Sequence, residues 1–265
     1  MRTLIALLVA CVLAGCAHDR GRLLIIGGAL EPDNTPVYRA LERTPGERLR
    51  IVVIPVASGV PEESGPGTAM DLHANLTSPT ITVIDPRTAP MDDVVRAIDG
   101  ADAVWFTGGD QSRITEHMRG TPAHDACFRL LRRGGTIAGT SAGAAMMGER
   151  MITGGSSEEA LEFGVTYEYD GQGVGLADGM GFIEGVLVDQ HFEQRDRAGR
   201  LRIAIHHEHV SYGLGVNENH AVLVDLRTRT MRPIGDHASV LIPLRREHLF
   251  DRGPRPEHLL RYVTE

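Results

Sequence analysis

The sequence predicts an α/β protein built on a doubly wound, mostly parallel sheet with flanking helices. Three observations predict it: short apolar runs rich in β-branched residues recur along the chain, stretches of helical apolar spacing separate them, and the motifs that carry chemistry stand at the C-terminal ends of those runs. A strand apolar at consecutive positions is buried on both faces, so its sheet needs helices on both sides. In such sheets ligands sit beyond the carboxyl ends of the strands.

The apolar runs are Leu23–Ile26, Ile51–Val56, Ile81–Ile84, Val104–Phe106, Thr136–Ala138 and Val186–Val188. Helical spacing covers Pro36–Arg43, Asp92–Ile98, Ser112–Met118 and Pro122–Arg133. The last opens on Thr121-Pro122, a cap followed by proline at the first helical position, where a missing N–H leaves no bond unmade. Gly154–Gly175 is rich in Gly, Ser and Glu with little periodicity and reads as a long loop over or beside the site, long enough for a lid. Gly213–Val216 and His220–Asp225 read as two late strands joined through Asn217-Glu218-Asn219, an antiparallel extension of the sheet. Past Arg245 the chain is polar and basic with two prolines, a surface tail.

At 265 residues the chain fits one α/β domain, and 42% hydrophobic with 23% charged residues is the balance of a folded protein. The first residues stand apart. Arg2 precedes an apolar run, Leu4 to Leu13, that is shorter than the about 20 residues a helix needs to span a bilayer. Leu13-Ala14-Gly15-Cys16 then matches a bacterial lipobox, in which the thiol accepts a diacylglycerol; the alternative is an ordinary signal peptide with a chance cysteine. The expected division is a leader at 1–15, a lipid-anchored linker at 16–21, a catalytic domain at 22–245 and a tail at 246–265. Such a chain is an exported lipoprotein on the periplasmic side of the membrane. Ala17 is not the aspartate of inner-membrane retention, which points to the outer membrane.

Cys11 leaves with the leader and Cys16 is the lipidation site, so Cys127 stands alone and no disulfide framework forms. Losing Arg2 with the leader moves the formal charge from −8 to −9, which argues against nucleic acid and for cationic or zwitterionic substrates. The oligomeric state is open, a homodimer being one option.

Gly139-Thr140-Ser141-Ala142-Gly143 follows one apolar run and precedes a small-residue helix start, the setting of a nucleophile elbow with Ser141 as nucleophile. The glycines are expected because chains press close to a strained turn. The N–H of Ala142 is the natural oxyanion donor, and Gly108 or Gly109, in Phe106-Thr107-Gly108-Gly109-Asp110-Gln111, supplies a second. The bland alternative is a tight turn with a capping serine.

Serine needs a base, and His191 stands out among twelve histidines because it ends an apolar run in Asp189-Gln190-His191-Phe192. Glu218 is the acid that would orient it, Ser141 and His191 being expected to converge at the carboxyl edge of a single sheet. Arg195, Arg197 and Arg200 follow closely and read as a clamp for substrate carboxylates, or otherwise as a solvated helix start. His206-His207-Glu208-His209 lacks a metal-ligand spacing and reads as a helix end; neither metal nor organic cofactor is expected.

These three motif segments resemble the cyanophycinase family, within the dipeptidase E-like serine peptidases, over roughly residues 22–226. The resemblance implies a class I glutamine amidotransferase-like fold and a Ser-His-Glu triad carried by Ser141, His191 and Glu218. It also implies a substrate site lined by Asp110, Gln111, Asp189, Gln190, Arg195, Arg197 and Arg200. Members of that family release β-aspartyl-arginine dipeptides from cyanophycin, a polyaspartate bearing arginine on each β-carboxyl, so the implied partner is a peptide or cyanophycin-like polymer. Residues 154–175 match no fixed motif of the family, and the family's cytoplasmic members lack a lipid anchor. An exported esterase and a non-catalytic binding lipoprotein are the rival readings; a glutaminase would carry cysteine at 141.

Overall fold

The computed structural model describes residues 21–236, 239–244 and 261–262. The leader, the lipobox with Cys16, and the tail apart from 261–262 lie outside the described residues. In chain order the first half contains β1 (Arg22–Ile26), α1 (Thr35–Arg39), β2 (Arg50–Ile54), α2 (Pro61–Asn75), β3 (Thr80–Val83), α3 (Met91–Gly100), β4 (Ala103–Phe106), α4 (Gln111–Met118), α5 (Pro122–Arg132), β5 (Thr136–Thr140) and α6 (Ala142–Ala145). The second half contains β6 (Arg150–Gly154), α7 (Ser157–Phe163), β7 (Val165–Thr166), β8 (Val174–Asp178), β9 (Val186–Gln190), α8 (Ala198–His207), β10 (Tyr212–Val216), β11 (Ala221–Asp225), β12 (Thr230–Ile234), β13 (Ser239–Pro243) and β14 (Arg261–Tyr262).

The main sheet runs β14-β12-β11-β1-β5-β4-β2-β3. Its heart, from β1 through β3, is parallel, and β11 and β12 extend it antiparallel from β1. Side chains alternate across it as the period of two demands. Leu23, Ile25, Val52, Ile54, Val104 and Phe106 face one layer, with Val94, Ile98, Ala126 and Leu130 of α3 and α5. Leu24, Ile26, Ile51, Val53, Ala103 and Trp105 face the other, with Val37, Tyr38 and Leu72 of α1 and α2. Each aliphatic side chain so enclosed contributes roughly 1.5–3 kcal/mol relative to exposure, which fixes the register that carries the strand ends to one rim.

Four expectations are corrected. Residues 154–175 are not a loop: α7 sits there behind a capping box, Glu159 N donating to Ser156 Oγ at 3.1 Å and Ser156 N to Glu159 Oε2 at 2.6 Å, and the segment closes a small sheet ordered β6-β8-β7. The two late strands do not pair with each other. β11 joins β1 in the main sheet, whereas β10 lies parallel to β9 in a separate sheet ordered β13-β10-β9. The single sheet expected to carry both Ser141 and His191 is therefore two, Ser141 following β5 and His191 following β9. Arg261–Tyr262 of the expected tail pairs with β12 as an edge strand. Among the described residues no helix is long and apolar enough to cross a membrane.

Candidate active site

Ser141 is the one residue between β5 and α6, at φ 53° and ψ −111°. A non-glycine residue there stores of order 1–3 kcal/mol and persists only where its surroundings over-determine it. The surroundings do so: Ser141 N donates to Ile26 O at 3.0 Å, and both flanking glycines lie backbone against backbone. A Cβ at Gly139 would stand 2.1 Å from Gly143 O, and one at Gly143 would stand 2.6 Å from Phe106 O. The strand-to-helix turn thus closes only with glycine at both places.

His191 also has positive φ, 46°, directly after β9. Its N–H donates to Gly27 O at 2.7 Å; Gly27 N donates to His220 O at 3.0 Å, and Asn219 N donates to Gly28 O at 2.8 Å. The two residues after β1 therefore stitch the end of the smaller sheet to the turn that carries Glu218. Glu193 N donates to Asn217 Oδ1 at 3.0 Å and Glu218 N to Gln194 Oε1 at 3.1 Å, fixing that turn from the other side.

The imidazole joins both partners. His191 Nδ1 is 2.5 Å from Glu218 Oε1, and Nε2 is 2.9 Å from Ser141 Oγ. A carboxylate only accepts, so Nδ1 carries the proton and Nε2 is left to accept from the serine hydroxyl. Burial lowers the His191 pKa below its ordinary value, with the positive charges of Arg195 and Arg197 acting the same way against the raising effect of Glu218. The ring is therefore neutral, the form a base requires.

Gly108 borders the hydroxyl: a Cβ built there would lie 3.4 Å from Ser141 Cβ and 4.0 Å from Oγ. Gly108, Ser141 and His191 bound a cavity of about 300 Å³ walled on the far side by Tyr38 and Trp105. Ala142 opens α6, and its N–H is among the first of a helix, which have no acceptor within it. Gly109, Asp110 and Gln111 face a different, neighbouring cavity of about 510 Å³ walled by Tyr167 and Tyr169. Asp110 Oδ1 caps α4 by accepting from Ser112 N at 2.8 Å, and Gln111 Nε2 donates to Ile152 O at 2.6 Å.

The three-arginine clamp is corrected here. Arg200 is 5% and Asp189 1% exposed, and they face each other at 2.5 and 2.8 Å, with Arg200 also donating to Gly155 O. This is an internal ion pair beneath β9, out of a substrate's reach. Arg197 is mostly buried, its Nη1 donating to Gln190 O at 2.6 Å, so it holds the peptide that precedes His191; burial lowers it to about 10. Arg195 alone of the three is exposed. Gln190 is buried and its Oε1 lies 3.4 Å from Ser141 Oγ. At the end of α8, Glu208 accepts from Arg150 Nε at 2.8 Å and Tyr167 Oη at 2.7 Å.

Sequence reasoning missed the far wall of the nucleophile's cavity: Leu30, Tyr38, Thr68, Asp71 and Trp105. Thr68 and Asp71 belong to α2, a polar helix with Pro66 inside it, which hides its period. Trp105 was legible only as a strand residue.

A strained serine turn, a neutral imidazole on its hydroxyl and a carboxylate behind the ring define an α/β protein of the serine-nucleophile class. The family model described as "Peptidase family S51" matches residues 23–231. The chain belongs to peptidase family S51. It is 32% identical over 203 residues to a cyanophycinase of a Nostoc species, covering 74% of this chain but 65% of that relative's length. With a cyanophycinase of Geminocystis herdmanii it shares 32% over 208 residues, covering 76% and 72%. Among solved structures, a peptidase from an acI-B1 actinobacterium superposes with a TM-score of 0.61 at 18% identity, covering 88% of this chain and 94% of the other. A putative peptidase E protein from Listeria monocytogenes gives 0.56 at 14%, covering 85% and 99%. These two share the fold, mostly parallel sheet and flanking helices, as expected from the strand pattern.

Proposed function

We propose that this chain is a serine peptidase that hydrolyses cyanophycin or related aspartyl and β-aspartyl peptides to dipeptides through an acyl-enzyme. The observation that carries the reading is the unbroken path from Ser141 Oγ to His191 Nε2, at 2.9 Å, and from Nδ1 to Glu218 Oε1, at 2.5 Å. The cyanophycinase relatives support the substrate class.

His191 Nε2 takes the serine proton as Oγ bonds to the scissile carbonyl carbon, and Glu218 holds the imidazolium that forms. The Ala142 and Gly108 N–H groups receive the oxyanion. The carbon–nitrogen bond then breaks and His191 gives its proton to the leaving amine. A water yields a proton to the same nitrogen as its oxygen bonds to the ester carbon; the carbon–Oγ bond then breaks, His191 returns the proton to Ser141 Oγ, and the acid product leaves. Exposed Arg195, beside His191, meets a carboxylate of the substrate.

Incubating purified protein with cyanophycin and with short α-aspartyl and β-aspartyl peptides, and reading released dipeptides by mass, tests the reading. Dipeptides from wild type and none from Ser141→Ala support it; no product from any of them rejects the substrate class. A fluorophosphonate probe that fails to modify Ser141 would instead favour a binding protein. We further propose export as a lipoprotein acylated at Cys16. Replacement Cys16→Ser should move the protein from the membrane fraction to the soluble one, and unchanged membrane association would reject the anchor.

A further inference from the structure

We propose that the amino ends of the parallel strands, at the pole opposite the catalytic rim, carry a binding site for a phosphate monoester or free phosphate, built from Arg22, Arg43 and Arg133. The inference goes beyond the peptidase reading and does not rest on it.

Arg22 opens β1, Arg50 opens β2 and Thr136 opens β5, so all three stand at the same end of the sheet. Together with Arg43, Asp102 and Arg133 they border a cavity of about 210 Å³. Thr136 and Ser141 lie at the two ends of β5, about 16 Å apart at 3.3 Å per residue, which separates this cavity from the nucleophile.

Arginines elsewhere in the fold meet carboxylates: Arg87, Arg129, Arg150 and Arg200 each do so, and at this pole Arg50 takes both oxygens of Asp102 at 2.7 and 3.1 Å. Arg22, Arg43 and Arg133 enter no ion pair among the described residues. Arg22 is 7% exposed, and its guanidinium donates to Leu41 O at 2.5 Å, Thr136 Oγ1 at 3.1 Å and Glu42 O at 3.4 Å. Arg43 Nη2 donates to Gly134 O, and Arg133 Nη2 donates to Ile98 O at 2.6 Å and Ala101 O at 2.9 Å. Carbonyls and a hydroxyl thus fix three guanidinium groups in place without neutralising them. Burial and the neighbouring charge of Arg43 lower Arg22 to about 10.

The count of charges selects the ligand. With Arg50 and Asp102 paired, the three arginines face only Glu47, whose Oε2 accepts from Arg43 N at 2.6 Å, so two positive charges are left over. That excess stands in a chain of net charge −8 and matches hydrogen phosphate or a phosphate monoester, where a monocarboxylate would leave one charge unmet. Planar N–H forks also suit a tetrahedral oxyanion, and Nε and Nη1 of Arg43 and Arg133 make no hydrogen bond among the described residues. A lipid headgroup presents the same chemistry as the free anion. Cys16 stands five residues before Gly21, a reach of at most about 18 Å, so the acylation proposed above would hold this pole at a bilayer surface and turn the catalytic rim away from it.

Isothermal titration with sodium phosphate, against sodium chloride at matched ionic strength, should show saturable binding and a raised thermal midpoint for phosphate alone. Arg43→Gln and Arg133→Gln, both at exposed positions, should each weaken binding about tenfold or more. Arg96→Gln, the same loss of charge outside the cavity, and Ser141→Ala should bind as wild type does. Sedimentation of Cys16→Ser, which lacks the anchor, with phosphatidylcholine vesicles containing phosphatidate separates the sources. Vesicle binding that phosphate displaces assigns the headgroup, and phosphate binding without vesicle binding assigns the free anion. No phosphate binding beyond chloride in wild type, or undiminished binding in the folded Arg43→Gln, Arg133→Gln double variant, overturns the inference. The wild-type comparison decides even where a variant does not fold.

Discussion

Gly28 leaves no space for a side chain beneath the ring of His191: a Cβ at residue 28 would stand 2.3 Å from both Cε1 and Nε2. Its backbone also lies at φ +104°, and its carbonyl accepts from Asn219 N at 2.8 Å. One small residue therefore touches the proposed base and the turn of its orienting acid. Gly28→Ala should displace the imidazole and lower kcat at least about a hundredfold, because a shift near 1 Å in a catalytic group has that effect. Steady-state kinetics beside a thermal melt checks this; wild-type kcat in a folded variant would contradict it.

Ser141→Ala should reduce turnover by about four to six orders of magnitude. Ser141→Gly should do the same and also raise stability by about 1 kcal/mol, since glycine relieves the φ of 53° and returns part of that gain as chain entropy. Urea unfolding of the two variants side by side is the measurement. A glycine variant no more stable than the alanine one would show that the turn stores no strain.

The pH profile carries a sign. Burial lowers His191 below its ordinary 6.5, so the acid limb of kcat/KM should fall below that pH, with activity lost only as pH drops through the lowered value. Glu218 opposes the shift, so Glu218→Gln should move the limb to still lower pH while reducing kcat by about 10²–10⁴. A limb above 6.5 in wild type, or one displaced upward in the variant, would refute the environment described for the ring.

Breaking the buried Asp189–Arg200 pair from one side, by Asp189→Asn or Arg200→Met, should destabilise the fold by about 3–5 kcal/mol through the charge left unpaired. Replacing both should recover much of that loss. If these residues gripped substrate instead, KM would rise in variants whose urea midpoints matched wild type.

The parallel heart of the sheet was legible because β1, β2, β4 and β5 are enclosed on both faces and so are apolar at successive positions. Ser141 and Gly139 were legible too, since a close-packed turn after such a strand admits few residue types. α2 was not: Gly65, Pro66 and Gly67 interrupt it, and its stability comes from laying Leu72 on the sheet, not from propensity. α7 carried its signal in Ser156 and Glu159, a capping box masked by the glycines around it. The fate of Arg200 depends on a partner eleven positions away in another element, which spacing alone does not reveal.

The division of the hydroxyl and the imidazole between two sheets has a consequence for how the enzyme would fail. Among the described residues, Gly27 and Gly28 form the backbone seam there, Gly27 O accepting from His191 N and Gly28 O from Asn219 N. Mild denaturant that loosens this seam would uncouple the nucleophile from its base while the large sheet keeps its shape. Inactivation would then precede the loss of far-ultraviolet dichroism, and catalytic competence would return last on refolding, once the halves had docked.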